Sequence, residues 1–374
     1  MPKRAYIPLT LVVGVVLIAA CSGTASSSTV APSSAAAATT APVGAGGTSA
    51  SSAAPVSLTI GGINNMSTAA VYVGVQKGFF LAHGIDAKFQ AFGNGSDLIK
   101  ALQSGTVQVS TSANTTIATA QSGGLDAVMF VPILNDATTA FYDQPIAIVA
   151  RAGSGITPGD PASLVGKRVG MFVGGTGDDY LTRLLTKAGV DPGKVTKVNL
   201  ALGNQLSALQ AGQVDAISTA EPYGTQILDT MGSQAVLIAR GGGLASYTVG
   251  LVATAAYIKS NPAIIQAVTD AMAEADAYTA ANLNEAGSIA TTYVPGLPVN
   301  IAQDSIKNIA FDPRISACTL QGFTSETHGL FVAGKITTDI PASSMVDQTF
   351  VQHTQQAFPQ YFSTFPPLPT SCSG

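Results

Sequence analysis

The stretch from Asp97 to Ser112, DLIKALQSGTVQVSTS, occurs a second time as Asn204 to Thr219, NQLSALQAGQVDAIST. Ala101-Leu102-Gln103-Ser104-Gly105 aligns with Ala208-Leu209-Gln210-Ala211-Gly212, and Val107 aligns with Val214. Each copy reads as a short helix ending at a glycine, where the backbone takes positive φ at little cost, then a short apolar strand and a Ser/Thr-rich loop. The match extends backwards: His83-Gly84-Ile85-Asp86 and Ala188-Gly189-Val190-Asp191 each follow an apolar helical run and precede a strand. Two α/β units of like design, roughly a hundred residues apart, predict a two-lobed protein with a cleft between the lobes.

The rest of the chain agrees with an α/β class. Ser57 to Ile63, Ile85 to Phe92, Val107 to Ser110, Ala127 to Val131 and Ile146 to Ala150 read as strands. Helical patterns fall between them, including Leu98 to Gln103 with Ser96 as its N-cap, and Thr115 to Gln121. Arg168 to Val173, Val195 to Leu200, Ala235 to Ala239 and Tyr247 to Thr254 continue the alternation. From Asn261-Pro262 onward the pattern is helical: Ile264 to Asn282, Glu285 to Tyr293, Ile301 to Asn308, Ser325 to Ala333 and Val346 to Ala357. Such alternation predicts mainly parallel sheets. The chain leaves the first lobe near Gln144 and returns near Tyr247. The first lobe is therefore expected to comprise 57–145 plus 248–374, with the C-terminal helices packed on it, and the second lobe 146–247.

The N-terminus carries an address. Lys3 and Arg4 precede the apolar run Ile7 to Ala20, which is short for a bilayer span and fits a signal-peptide core over residues 1–20. It ends in Leu17-Ile18-Ala19-Ala20-Cys21, which resembles the bacterial lipobox, whose cysteine is lipidated and becomes the first mature residue. Residues 21–56 follow as a linker, and from Ser22 to Val56 no residue is charged. That composition cannot bury a core, so a flexible tether reaching about 30–35 Å is expected. The protein is thus expected at the outer face of the cell membrane, held by lipid on Cys21. In an oxidising exterior the remaining cysteines, Cys318 and Cys372, favour a disulfide that staples the Pro-rich tail to the helical region. Charged residues are 10% of the chain and the net charge is −4, so there is no basic field for nucleic acid.

Taken in order, several motifs resemble the solute-binding proteins of ABC importers, in the nitrate/sulfonate/taurine and thiamine-precursor (NMT1/THI5-like, SsuA-like) branch. They are Lys77-Gly78-Phe79-Phe80 with Gly84-Ile85-Asp86, Leu102-Gln103-Ser104-Gly105-Thr106-Val107-Gln108, Leu164-Val165-Gly166-Lys167-Arg168-Val169-Gly170, and Ala208 to Ala216 ahead of Glu221-Pro222. The resemblance covers roughly Leu58 to Asn282. It implies a two-lobed periplasmic-binding-protein-like (type II) fold with two crossover strands. It also implies a monomeric receptor that holds a small polar solute in the cleft and passes it to membrane permease subunits. Some THI5-like relatives are enzymes with a Cys-rich iron-binding segment and a pyridoxal-phosphate lysine; no such Cys run occurs here.

In open α/β sheets ligands gather beyond the carboxyl ends of the strands, which selects four loops. Asn64, Asn65, Ser67 and Thr68 offer donors and acceptors, and would equally cap a helix. Ser112 and Asn114, with Thr111 and Thr115, follow the first repeat strand under the same two readings. Gly175, Thr176 and Gly177, after Gly174, open a helix whose free N–H groups suit an anion, or else form a plain strand-to-helix turn. Asp178 and Asp179 next to them would repel an anion if they pointed inward. Thr219, Glu221 and Tyr223 follow the second repeat strand, where Glu221 meets a ligand amine or hydroxyl or simply charges a helix N-terminus. Gln144, Tyr142 and Tyr247 lie at the proposed crossings. With no Trp in the chain, stacking on a ligand falls to Tyr or Phe. The three histidines are far apart, and no HExxH, GxSxG or Cys/His cluster is present, so no catalytic set, metal or cofactor is expected. The solute is expected to be anionic or zwitterionic, or a pyrimidine; an exported sensor or enzyme on the same fold is the alternative.

Overall fold

The computed structural model describes residues 54–93, 95–173 and 175–372. The signal-peptide and linker readings, Cys21 included, and Gly174 of the glycine loop lie outside the described residues.

The strands are β1 (Val56–Ile63), β2 (Ile85–Phe92), β3 (Val109–Ala113), β4 (Ala127–Leu134), β5 (Ile146–Arg151), β6 (Arg168–Met171), β7 (Thr196–Asn199), β8 (Ala216–Ala220), β9 (Ala235–Arg240) and β10 (Val249–Thr254). Between the strands lie α1 (Ala69–Gln76), α2 (Phe79–Ala82), α3 (Gly95–Gln103), α4 (Asn114–Ser122), α5 (Thr176–Lys187), α6 (Gln205–Gln210) and α7 (Tyr223–Met231). After β10 come α8 (Ala255–Ser260), α9 (Pro262–Ala281), α10 (Leu283–Ala290), α11 (Val299–Ser305), α12 (Ala317–Val332), α13 (Ala342–Met345) and α14 (Thr349–Ala357). No helix among the described residues is long and apolar enough to cross a membrane.

Two five-stranded sheets result, ordered β2-β1-β3-β10-β4 and β7-β6-β8-β5-β9. The internal repeat is visible in their registers. Ile60 pairs with Val109 and Gly61 with Ser110 in the first sheet; Val169 pairs with Ala216 and Gly170 with Ile217 in the second. The glycines that end the repeated helices, Gly105 and Gly212, have φ of 73° and 66°, and Gly84 and Gly189 before the next strands have 79° and 70°. All four occupy the left-handed region that favours glycine.

The sheets are mixed, which corrects the expectation of mainly parallel ones. β1 runs parallel to β2 and β3, and β6 parallel to β7 and β8. β10 is antiparallel to β3 and β4, and β5 antiparallel to β8 and β9. The reason is the crossings: β5 and β10 are the first strands after each one, and each enters its sheet from the opposite end. Smaller corrections concern boundaries. α3 starts at Gly95, so Ser96 lies inside its first turn, and β3 begins two residues later than expected.

Both faces of each sheet are covered, so strands such as β4, β5 and β10 are almost wholly buried and apolar. Tyr72 and Phe80 are fully buried against β1 and β2, and burying a side chain of this kind contributes about 1.5–3 kcal/mol. α9 and α14 pack on strands of the first sheet, and α12 packs on α4 beside it.

The two crossings, 135–145 and 241–248, are bound to each other. The Asp143 carboxylate, 2% exposed, accepts from the backbone N–H groups of Gly243, Leu244 and Ala245 at 3.0, 2.7 and 3.2 Å. Tyr247 N donates to Tyr142 O at 2.8 Å, and Tyr180 Oη to Gly241 O at 2.7 Å. Arg183 of α5 donates to Glu326 of α12 at 2.7 Å, joining helices of the two halves. Burial pushes Glu326 up to about 7 against the pull of Arg183. Cys318 of α12 is bonded to Cys372 in the tail.

Candidate functional site

A cavity of about 240 Å³ lies between the two sheets. Its walls come from the carboxyl ends of β1 and β3 on one side and of β6 and β8 on the other. By the registers and the sequence repeat above, pairs of lining residues are equivalent in the two copies, among them Ile63 and Phe172, Leu98 and Gln205, Thr111 and Ser218, Ser112 and Thr219, and Ala113 and Ala220. The duplication therefore builds the site as well as the fold.

On the first wall, Asn65, Ser67 and Thr68 line the cavity, and their side chains order one another. Ser67 Oγ donates to Asn65 Oδ1 at 2.7 Å, Thr68 Oγ1 contacts the same oxygen at 3.3 Å, and Tyr247 Oη lies 3.3 Å from Ser67 Oγ. Tyr247 also lines the cavity, and burial raises its phenol above the ordinary value, with the Ser67 hydrogen bond pulling the other way. Ser112 lines the cavity with its hydroxyl 3.2 Å from that of Ser110.

On the second wall, Gly175, Thr176 and Gly177 present the first turn of α5. Gly177 is there for closeness: a Cβ on it would meet Ser218 O at 2.4 Å. Ser218 Oγ donates to Gly177 O at 2.7 Å, which clamps α5 onto β8. Thr219 lines the cavity, 2% exposed, with its hydroxyl unpartnered. Phe172 lies at the edge of the cavity, 49% exposed, where an aromatic face is free to cover a ligand.

Thr111 and Thr115 line the cavity as well, and the remaining sequence-selected residues do not. Asn114 is spent in the scaffold: its Nδ2 donates to Ser246 O at 2.7 Å, and its Oδ1 accepts from Thr115 N at 2.9 Å. Glu221 is an ion-pair partner of Arg240 and also accepts from Thr225 Oγ1 and Asn308 Nδ2, each at 2.8 Å. Gln144 is exposed, Tyr223 is half-buried, and Asn64 is half-buried with a buried, unpartnered Oδ1. Asp178 and Asp179 are tied to Lys197 and Arg183 rather than turned against a ligand. None of the described lining residues is charged.

Several lining residues escaped the sequence reading, among them Thr116, Phe172, Ser218 and Gln205. Gln205, first residue of α6, is 1% exposed, and neither Oε1 nor Nε2 has a partner. The signal was present in the repeat: its counterpart Leu98 is an apolar, buried residue, so a glutamine there breaks the helix pattern on the buried face.

The family described as NMT1/THI5 like matches residues 65–286, more than half of the chain. The chain belongs to the NMT1/THI5-like family. No curated protein matches it by sequence. Among solved structures, the alkanesulfonate-binding protein SsuA from Xanthomonas axonopodis pv. citri, bound to MOPS, is similar with a TM-score of 0.66 at 20% identity, over 80% of this chain and 100% of that one. The periplasmic aliphatic sulphonate binding protein SsuA from Escherichia coli gives 0.67 at 19%, over 78% and 97%. The periplasmic nitrate-binding protein NrtA from Synechocystis PCC 6803 gives 0.63 at 15%, over 84% and 92%. These likenesses show the two-lobed periplasmic-binding-protein fold for this member of the NMT1/THI5-like family.

Proposed function

We propose that this chain is the extracytoplasmic solute receptor of an ABC importer. It takes a small polar solute between its two sheets, closes about the crossings, and presents the solute to permease subunits in the membrane. The observation that carries this reading is the cavity walled by equivalent residues of both sheets. A solute there touches both halves at once, so its binding energy favours the closed arrangement. Family membership and the sulfonate and nitrate ligands named for the structural neighbours support it. The lipobox-like run ending in Cys21 and the uncharged linker support a protein tethered to the outer face of the membrane.

A sensor or enzyme on the same fold is the competing reading. The described lining residues include no carboxylate, histidine, cysteine or lysine, which favours binding over turnover. Thermal melting of the purified full chain against a solute panel tests the proposal. A cognate solute should raise Tm with concentration by mass action, reaching about 2.7 kcal/mol of added stability at a hundred times Kd. Conversion of any panel compound to a product would overturn the receptor reading. Labelled palmitate should enter the wild-type protein in a bacterial host and fail to enter Cys21→Ala.

A further inference from the structure

Gln205 is a primary amide that lines the cavity, 1% exposed, and both of its polar atoms are buried without a partner. Thr219 Oγ1, on the same wall, is also buried and unpartnered. Leaving such groups unpaired costs stability, so the natural occupant is one that pairs them. Exchanging the amide oxygen and nitrogen changes nothing here, since neither is bonded.

The amide restricts the occupant's chemistry. A sulfonate, nitrate or carboxylate only accepts; it would serve Nε2 and the Thr219 hydroxyl but leave Oε1 facing another oxygen. An ammonium group only donates, and no described lining residue supplies a carboxylate to balance it. Nor does any supply a cation to balance an anion, and an isolated buried charge is expensive. The acids nearest in sequence to this wall, Asp178, Asp179 and Glu221, already have cationic partners. What satisfies Gln205 fully is a second amide-type edge, with donor and acceptor on adjacent groups.

We infer that the cleft takes an uncharged solute that presents a hydrogen-bond donor and acceptor side by side, as in a primary amide, lactam or ureide, and that Gln205 selects it. This rests on the receptor reading. It replaces the anion or zwitterion expected from the glycine-rich helix start. The first-turn N–H groups of α5 remain suited to a carbonyl dipole on the same solute. The cavity is smaller than the roughly 300–1,000 Å³ of drug-sized sites, in keeping with a small metabolite.

Calorimetric titration of the purified full chain decides the matter. The probes are 2-pyrrolidinone, hydantoin and nicotinamide on one side, and methanesulfonate, taurine and nitrate on the other. At least one uncharged probe should bind, and more tightly than any charged one. Methylating the donor nitrogen of that probe should weaken binding tenfold or more, with no change to the protein. Gln205→Glu, which keeps an acceptor and loses the donor, and Gln205→Leu should each weaken it tenfold or more. Circular dichroism and melting would show that the variants are folded. Binding of the sulfonate, taurine or nitrate alone overturns this inference and leaves the receptor reading standing. So does an unchanged affinity on N-methylation. Failure of all six probes overturns the inference for these chemistries, and a flat thermal-shift panel of wider chemistry would then remove the receptor reading as well.

Discussion

Asp276 lies in α9 with both carboxylate oxygens buried and unpartnered, and Thr279 one turn on has a buried, unpartnered hydroxyl. Burial, and to a lesser degree Asp312, raises the Asp276 carboxyl well above its ordinary value of 3.8. The native state therefore holds this proton more tightly than the unfolded chain. That contribution is fully present below pH 3.8 and is lost as pH rises through the native value. Asp276→Asn removes the charge while keeping the shape. Its Tm should exceed that of the wild type by roughly 2–4 °C at pH 7, and the gap should close toward pH 4. Calorimetric scans at the two pH values check this; a gap independent of pH would contradict it. Among the site residues, legibility ended where partners come from afar. Asn114 and Glu221 stand beyond strand ends, as ligand groups do, but the atoms that occupy them belong to Ser246, Arg240 and Asn308. No local pattern announces those pairings. Gln205 was readable only by setting the two copies side by side and asking why a buried leucine position had become polar.

At the scale of elements, α5 and β8 show how tightly the second wall is set. A Cβ at Gly177 would fall 2.4 Å from Ser218 O and 2.8 Å from Ser218 C, both backbone atoms that cannot swing aside. Gly177→Ala should lower unfolding stability by about 1–3 kcal/mol and shift the first turn of α5, weakening solute binding as well. Gly203→Ala, where nothing lies within 4 Å, should change stability little. Urea melts of the two variants make the comparison. The Cys318–Cys372 bond spans a sequence separation of 54, for which loop-closure entropy gives roughly 4 kcal/mol. Cys372→Ser should therefore lower Tm to that of the reduced wild type, and reductant should not lower it further. Alternation and the Gly-ended repeat placed most strands and helices. They missed the first half of α12, because Thr319, Gly322 and Thr324 carry no apolar period; a Ser316–Thr319 capping box starts that helix instead. Strand direction was illegible as well, since alternation does not say from which end a strand enters.

At the scale of the molecule, the crossings decide how the two halves relate. Asp143 gathers three N–H groups of the opposite crossing, and Asp143→Ala would leave them buried without an acceptor. A loss on the order of 3 kcal/mol is expected, less for Asp143→Asn, which retains one acceptor oxygen. Small-angle scattering of Asp143→Asn should show a broader spread of shapes than the wild type in the absence of solute. The same crossings determine when the protein can be finished as it is made. The second sheet is drawn from one unbroken run, from Ile146 to Arg240. The first cannot close until β10 arrives, because β10 sits between β3 and β4 and is the strand that β4 pairs with. A chain emerging from its N-terminus thus begins the first half, completes the second, and only then returns to complete what it began. The half made last is also the one whose strand closes the wall that faces Gln205.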